Sequence, residues 1–218
     1  MLPQPQYRLY ATLLDAFAWY KQSESDNAEQ ELLDKINRVP VTDEKALERM
    51  QKGTELNNLI DEILATGVMD IAKAAPFNSD VVRLLAEYLQ GATSQYRTSI
   101  VMDIDGIVIE LYGVTDYILL NKGIDLKSTG SYELGKYKDS LQRHLYPVAL
   151  ADEGIEIDTF EFLVTDFNSV FKEPYKVNLK ESRQVLASIS LQLIDFIEAR
   201  RHLITDLKIF GLHELSNS

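Results

Sequence analysis

The feature that most restricts what this chain can fold into is a change of hydrophobic period near its middle. Up to about Gly91 the apolar residues recur at helical spacing. From about 94 to 128 the segments SQYRTSIVM, GIVIELYG, VTDYILL and GIDLKST alternate instead and are rich in β-branched and aromatic residues. Turn sequences separate them at Asp103-Ile104-Asp105-Gly106 and Asn121-Lys122-Gly123. Such a block reads as an antiparallel meander, and helices on both sides of it predict an α/β (α+β) architecture with a central mixed sheet flanked by helices.

The helical flanks can be placed approximately. Leu9, Leu13, Phe17 and Tyr20 predict an amphipathic helix over Tyr7 to about Lys21, and Leu32, Leu33 and Ile36 a short second one ended by Pro40. Thr42 is the expected N-cap of a longer helix to about Ala65, with Asp43 and Glu44 in its first turn. Its stripe reads Met50, Gly53, Asn57, Ile60, Leu64, so a glycine and an asparagine stand where apolar side chains are expected. Val81, Leu84, Leu85, Tyr88 and Leu89 mark another helix after Asn78 and Ser79, stopped by Gly91. Beyond the meander a helix is expected from Tyr137 to about Asp152, kinked or divided by Pro147. Strands over about Thr159–Thr165 and Val170–Val177 follow, then a helix from Leu179 to about Leu203.

A length of 218 residues predicts one domain: N-terminal helices over 1–91, sheet and chemistry over 92–178, and a C-terminal helix over 179–204. An apolar share of 45% with little glycine or proline is that of an ordinary globular chain. The apolar runs fall short of the roughly 20 residues a membrane helix needs, and MLPQPQYRLY has no signal-peptide core, so a cytoplasmic protein with no membrane partner is expected. The complete absence of cysteine excludes disulfides, thiolate zinc sites and cysteine nucleophiles, leaving oxygen and nitrogen as the only metal donors. A net charge of −12 runs against nucleic-acid binding, which relies on clustered Lys and Arg. A carboxylate site that recruits a divalent cation brings positive charge with it and relaxes that objection.

The chemistry concentrates in the meander. In VTDYILL, Asp116 alternates with Val114, Ile118 and Leu120, which aims a carboxylate at an otherwise apolar face, costly unless paired. In GIDLKST, Asp125 and Lys127 are two apart and share a face. Two aspartates that hold a hard cation, with an ammonium beside them, suit phosphodiester hydrolysis. Lysine there would orient or deprotonate the attacking water and stabilise the oxyanion. The aspartates meet only if the hairpin loop has an even number of residues or a strand is bulged. A Lys122-Gly123 turn satisfies this; a symmetric three-residue loop over Asn121 to Gly123 does not. The acidic-x-Lys triplet alone is unspecific, because Asp43-Glu44-Lys45 and Asp206-Leu207-Lys208 repeat it.

In that context the segment LYGVTDYILLNKGIDLKST resembles the core of PD-(D/E)XK nucleases, specifically the RecB-type and phage-exonuclease branch. KGTELNN matches the glycine-bearing helix, Asp116 the aspartate strand, Asp125-Leu126-Lys127 the D-x-K element and Gln142-Arg143-His144-Leu145-Tyr146 the Gln-x-x-x-Tyr helix. The resemblance implies a restriction-endonuclease-like core. It further implies that Asp116, Asp125 and the Leu126 backbone carbonyl bind Mg²⁺ or Mn²⁺, that Lys127 is catalytic, and that Gln142 and Tyr146 face the site or the DNA backbone. Members usually place histidine four residues after the glycine, where this chain has Asn57; its carbonyl oxygen is a weaker ligand for a hard ion, and Asp61, one turn on, can compensate. Gly53 in a helix interior costs about 1 kcal/mol relative to alanine, so close backbone packing is the expected motive for it.

Outside these elements, His144, His202 and His213 share no metal spacing and read as surface or locally paired residues. Trp19, with Phe17 and Tyr20, reads as core in preference to a base-stacking platform. Arg200-Arg201 reads as a solvated helix end. The expected function is metal-dependent DNA hydrolysis by an exonuclease of phage or recombination type, acting alone, as a homo-oligomer or with a recombination partner. The alternative, motivated by the acidic charge and Asn57, is a catalytically degenerate nuclease fold serving as a nucleic-acid-binding or assembly subunit.

Overall fold

The structure, a computed structural model, describes residues 4–211, so His213 lies outside the described residues. Among the described residues six strands form one mixed sheet: β1 (Tyr7–Tyr10), β2 (Thr93–Ile104), β3 (Ile107–Leu119), β4 (Lys122–Ser128), β5 (Thr159–Thr165) and β6 (Val170–Lys176). Seven α-helices flank it: α1 (Ala11–Gln22), α2 (Ala28–Ile36), α3 (Glu44–Thr66), α4 (Ile71–Ala74), α5 (Ser79–Tyr88), α6 (Gln142–Asp152) and α7 (Leu179–Ala199). The α/β (α+β) expectation is met. No helix among the described residues is long and apolar enough to cross a membrane.

The long strand β3 organises the sheet. One edge pairs antiparallel with β2 from Ile104↔Ile107 to Thr93↔Ile118. The other edge is shared: its first part pairs parallel with β1, ending at Tyr10↔Tyr112, and its last residues pair antiparallel with β4, starting at Tyr117↔Ile124. Between those ladders the stretch from Gly113 to Asp116 has no strand partner on that edge among the described residues, so β1 and β4 part there like a fork. Beyond β4, β5 runs parallel to it and β6 closes the sheet antiparallel.

Each sheet face is covered by its own core. Leu9, Ile109, Leu111, Phe160, Phe162 and Val164 pack under α1, α2, α6 and α7. Tyr117, Ile124, Leu126 and Leu163 pack under α3 and α5. Leu111 and Tyr117 are an even number apart yet lie in different cores, so the alternation of β3 slips phase across the fork.

Several expectations are corrected. Tyr7–Tyr10 is a strand, not the first turn of a helix, because pairing with β3 prevails over a helical spacing that also runs through it; the N-terminal segment is therefore not purely helical. α3 is capped by Asp43, which accepts the Ala46 N–H, and not by Thr42. Its buried stripe is Leu56, Leu59 and Ile60, while Met50 is exposed. α2 ends at Ile36, ahead of Pro40, as Arg38 takes a left-handed conformation. GIVIELYG and VTDYILL are one strand, and the short α4 is unforeseen. α6 begins at Gln142, not Tyr137, and Pro147 does not divide it: burial of most of the helix offsets the hydrogen bond lost. α7 ends at Ala199, short of Leu203.

Candidate active site

The β3–β4 turn decides whether the aspartates meet. It is the two-residue Leu120-Asn121, closed by Leu119↔Lys122, with Leu120 at φ 54° and 91% exposed. The turn is neither Lys122-Gly123 nor the three-residue loop, and Leu120 is no part of an apolar face. Its even length nonetheless sets Asp116 opposite Asp125, one step beyond the last paired residues. There the strands have separated, and Asp116 Oδ2 accepts the Leu126 N–H at 2.9 Å, replacing the missing ladder bond. Since N–H and C=O of one strand residue point to the same side, the Leu126 carbonyl also faces the fork.

The fork opens as a cavity of about 370 Å³ walled by Asp116, Asp125, Leu126, Lys127, Asn57, Gln142 and Tyr146, closed by Tyr10, Ala11 and Thr12 at the start of α1. Five separate stretches of chain thus converge on it. Lys127 Nζ lies 2.7 Å from Asp125 Oδ2 but off the line of a hydrogen bond, so that buried oxygen has an ionic partner and no directed donor. Lys127 Nζ also donates to Gln142 Oε1 at 3.0 Å.

Two sequence-predicted residues stand outside the cavity wall. Gly53 supports it: a Cβ there would come within 2.6 Å of Ser128 Oγ at the end of β4, so the glycine lets α3 approach the strand that carries Asp125 and Lys127. Asp61 faces Tyr117 and Gln95 and acts on Asp116 only through its charge.

Two more residues belong to the site and were not foreseen. Asp15 on α1 accepts Gln142 Nε2 at 3.1 Å, Ser140 Oγ at 3.1 Å and the Leu141 N–H, which fixes the start of α6 and orients Gln142 toward Lys127. Its position in an amphipathic helix carried no signal. Gly113 makes room for the Tyr146 ring, since a Cβ would stand 2.6 Å from its Cε1. A glycine inside a strand, at the start of the fork, was the available clue.

Electrostatics follow from this packing. Burial, then the neighbouring Asp125 charge, push Asp116 up to about 7, against the Leu126 N–H and Lys127. Burial works against the Lys127 charge, but Asp125, Asp116 and Asp15 outweigh it and hold its pKa above the ordinary lysine value. Burial raises Asp15 as well. The phenol of Tyr146 is pushed up by burial and by the same carboxylates.

No group of three or more His, Cys, Asp or Glu side chains among the described residues is arranged to hold a metal. A site of two carboxylates and a backbone carbonyl still suits Mg²⁺, which is commonly held through one or two carboxylates, with water and substrate phosphate completing its shell. The donor-poor Asp125 oxygen fits such an ion.

Elsewhere, His144 is not on the surface: it is buried, bonded through Nδ1 to Ser182 Oγ at 2.9 Å, and burial lowers it to about 4. His202 is exposed. Arg200 forms a two-pronged pair with Glu29, and Arg201 pairs with Glu198. Trp19 is not core: it is 49% exposed, while Phe17 and Tyr20 pack with Phe196.

No family model and no curated protein matches the chain. Among solved structures, the crystal structure of SSO0001 is similar in fold, with a TM-score of 0.50 and 12% identity over 92% of this chain and 81% of that one.

Proposed function

We propose that this chain is a Mg²⁺- or Mn²⁺-dependent deoxyribonuclease of the PD-(D/E)XK type that hydrolyses phosphodiester bonds, an exonuclease of phage or recombination type acting on DNA in the cytoplasm. The observation that carries the reading is the convergence of Asp116, Asp125, the Leu126 carbonyl and Lys127 on one cavity in the sheet fork, in the order of motifs that resembles that superfamily. The metal, held by Asp116, Asp125 and the Leu126 carbonyl with Asn57 in reach, would neutralise charge on the scissile phosphate.

Every other role falls to the chain. Lys127, cationic and aligned by Gln142, orients the attacking water and stabilises the negative charge that grows on the phosphate. Gln142 is aligned in turn by Asp15. Tyr146, fixed over Gly113, fills the wall behind the phosphate and excludes water. Asp116 and Asp125 repel each other until a cation enters, so the site favours its metal electrostatically.

End-labelled single-stranded and duplex DNA, incubated with Mg²⁺ or Mn²⁺ and with chelator, tests the reading. Metal-dependent mononucleotide release that disappears in Asp125→Ala is expected. No hydrolysis with either metal across a range of salt overturns it.

A further inference from the structure

A second groove, of about 410 Å³, adjoins the cavity and shares Lys127 and Gln142 with it. It is lined by Trp19 on α1 and by Lys136 and Tyr137 in the β4–α6 connection. We infer that this groove takes the nucleobase next to the scissile phosphate, stacked on the indole of Trp19, and that the substrate enters as a single-stranded end. This rests on the nuclease reading above and specifies its substrate.

Three observations carry it. First, Trp19 exposes 49% of its surface at a place where its neighbours Phe17 and Tyr20 found packing partners, and a flat aromatic face open to a groove is what an unpaired base requires. Second, Trp19 follows Asp15 by four residues and so lies one helical turn, about 5.4 Å, further along the same face of α1. Asp15 touches Gln142, which touches Lys127, so the indole stands about one turn beyond the reacting end of the site. Third, the groove balances Lys127 and Lys136 against Asp15 and Asp139. A near-neutral groove on a protein of charge −12 offers little general attraction for phosphate, so a neutral π face must supply the affinity. A base inside a duplex hides both its faces in the stack, and a terminal one is held in place by its pairing partner; a single-stranded end leaves a base free to turn onto the indole.

The part of the lining that comes from the β4–α6 connection is built rather than loose. Buried Glu173 accepts Tyr132 Oη at 2.8 Å and the Tyr137 N–H at 3.1 Å, and the Tyr137 ring stacks on Phe162 at 5.1 Å. Lys136 Nζ is fixed near the rim by the Ser131 carbonyl at 2.8 Å. The groove therefore exists before any ligand arrives.

Trp19 is the single tryptophan of the chain, so its fluorescence reports this groove alone. The test titrates the full chain, in chelator to prevent hydrolysis, with a single-stranded oligothymidine of about 12 nucleotides and with a blunt duplex of equal length, following quenching and, independently, anisotropy of a labelled strand. Quenching by the single strand at lower concentration than by the duplex is expected. Trp19→Leu, which keeps apolar bulk without the flat face, is expected to weaken single-strand binding about tenfold, and Trp19→Phe to stay within a few-fold of the parent. Binding without quenching, or equal affinity in Trp19→Leu, overturns the inference while metal-dependent hydrolysis leaves the nuclease reading standing. Absence of both binding and hydrolysis overturns the two together.

Discussion

Two of the buried carboxylates on this sheet, Glu173 and Asp125, differ in donors rather than depth. Glu173 is 3% exposed, and its two oxygens take Tyr132 Oη, Tyr175 Oη and the Tyr137 N–H. Asp125 is 4% exposed, faces a second carboxylate, and keeps an oxygen with no directed donor. Burial of a charge costs several kcal/mol unless hydrogen bonds or a counter-ion compensate it. Glu173 is compensated by the fold, which makes it a structural tie. The aspartate pair sets two carboxylates against one ammonium and one N–H, an imbalance that the cation of the proposed reading would relieve.

The most severe test of that contrast exchanges charge without changing shape. Asp125→Asn is expected to lower metal-dependent hydrolysis by about 10³-fold or more while global stability changes by less than about 1 kcal/mol, since the repulsion from Asp116 goes with the charge. Glu173→Gln should behave in the opposite way. Replacing an acceptor of three hydrogen bonds by an amide that must turn its NH₂ toward a donor is expected to cost about 2–3 kcal/mol. Denaturant unfolding of both variants settles it: if Asp125→Asn loses more stability than Glu173→Gln, the division into reactive and structural carboxylates is wrong.

A smaller effect concerns pH. On the proposed reading Asp116 must be ionised to hold the metal, and at about 7 it is mostly protonated at pH 6 and mostly ionised at pH 8. Mn²⁺ affinity measured by calorimetry is expected to rise about tenfold over that interval, with proton release, and to lose most of this dependence in Asp116→Asn. In the metal-free protein the sign for stability is reversed. The Asp116 contribution is fully present below its unfolded value of about 4 and is lost as pH rises through about 7. His144 opposes it, because its folded value near 4 lies below the unfolded one, so its contribution is present above about 6.5 and is lost as pH falls toward 4. A stability profile of His144→Gln that keeps the acid-side loss would remove His144 from that account.

What was legible in the sequence was local and periodic. The change of period located the meander, and spacing by two put Asp125 and Lys127 on one face. The dyad's meeting was posed as a question of loop parity, answered by Leu120-Asn121, a turn without the usual glycine and so not readable from residue type. β1 was missed because a four-residue strand carries too little alternation to compete with a helical pattern running through it; only pairing to β3 defines it. Trp19 was misassigned because sequence shows which residues are aromatic and not which of three neighbours the helix turns outward. Asp15 was invisible because its partners at 140–142 are more than a hundred residues away.

Asp15 is also where the contrast between those two carboxylates is sharpest, since it combines both behaviours. Its oxygens are provided with donors from Ser140, Leu141 and Gln142, as in a structural tie, yet Gln142 passes that order to Lys127. Asp15→Asn keeps an acceptor but offers an NH₂ where a donor now points, so Gln142 must rotate and Lys127 loses a fixed acceptor. Turnover at saturating DNA is expected to fall about tenfold with little change in KM, because alignment of a reacting group is felt in the transition state. Trp19→Leu should do the converse and raise KM. Asp15→Ala leaves Leu141 and Gln142 without their acceptor and adds a stability loss of about 1–3 kcal/mol. Should Asp15→Asn keep full turnover while losing stability, Asp15 would be structural only, and Lys127 would need no alignment through Gln142.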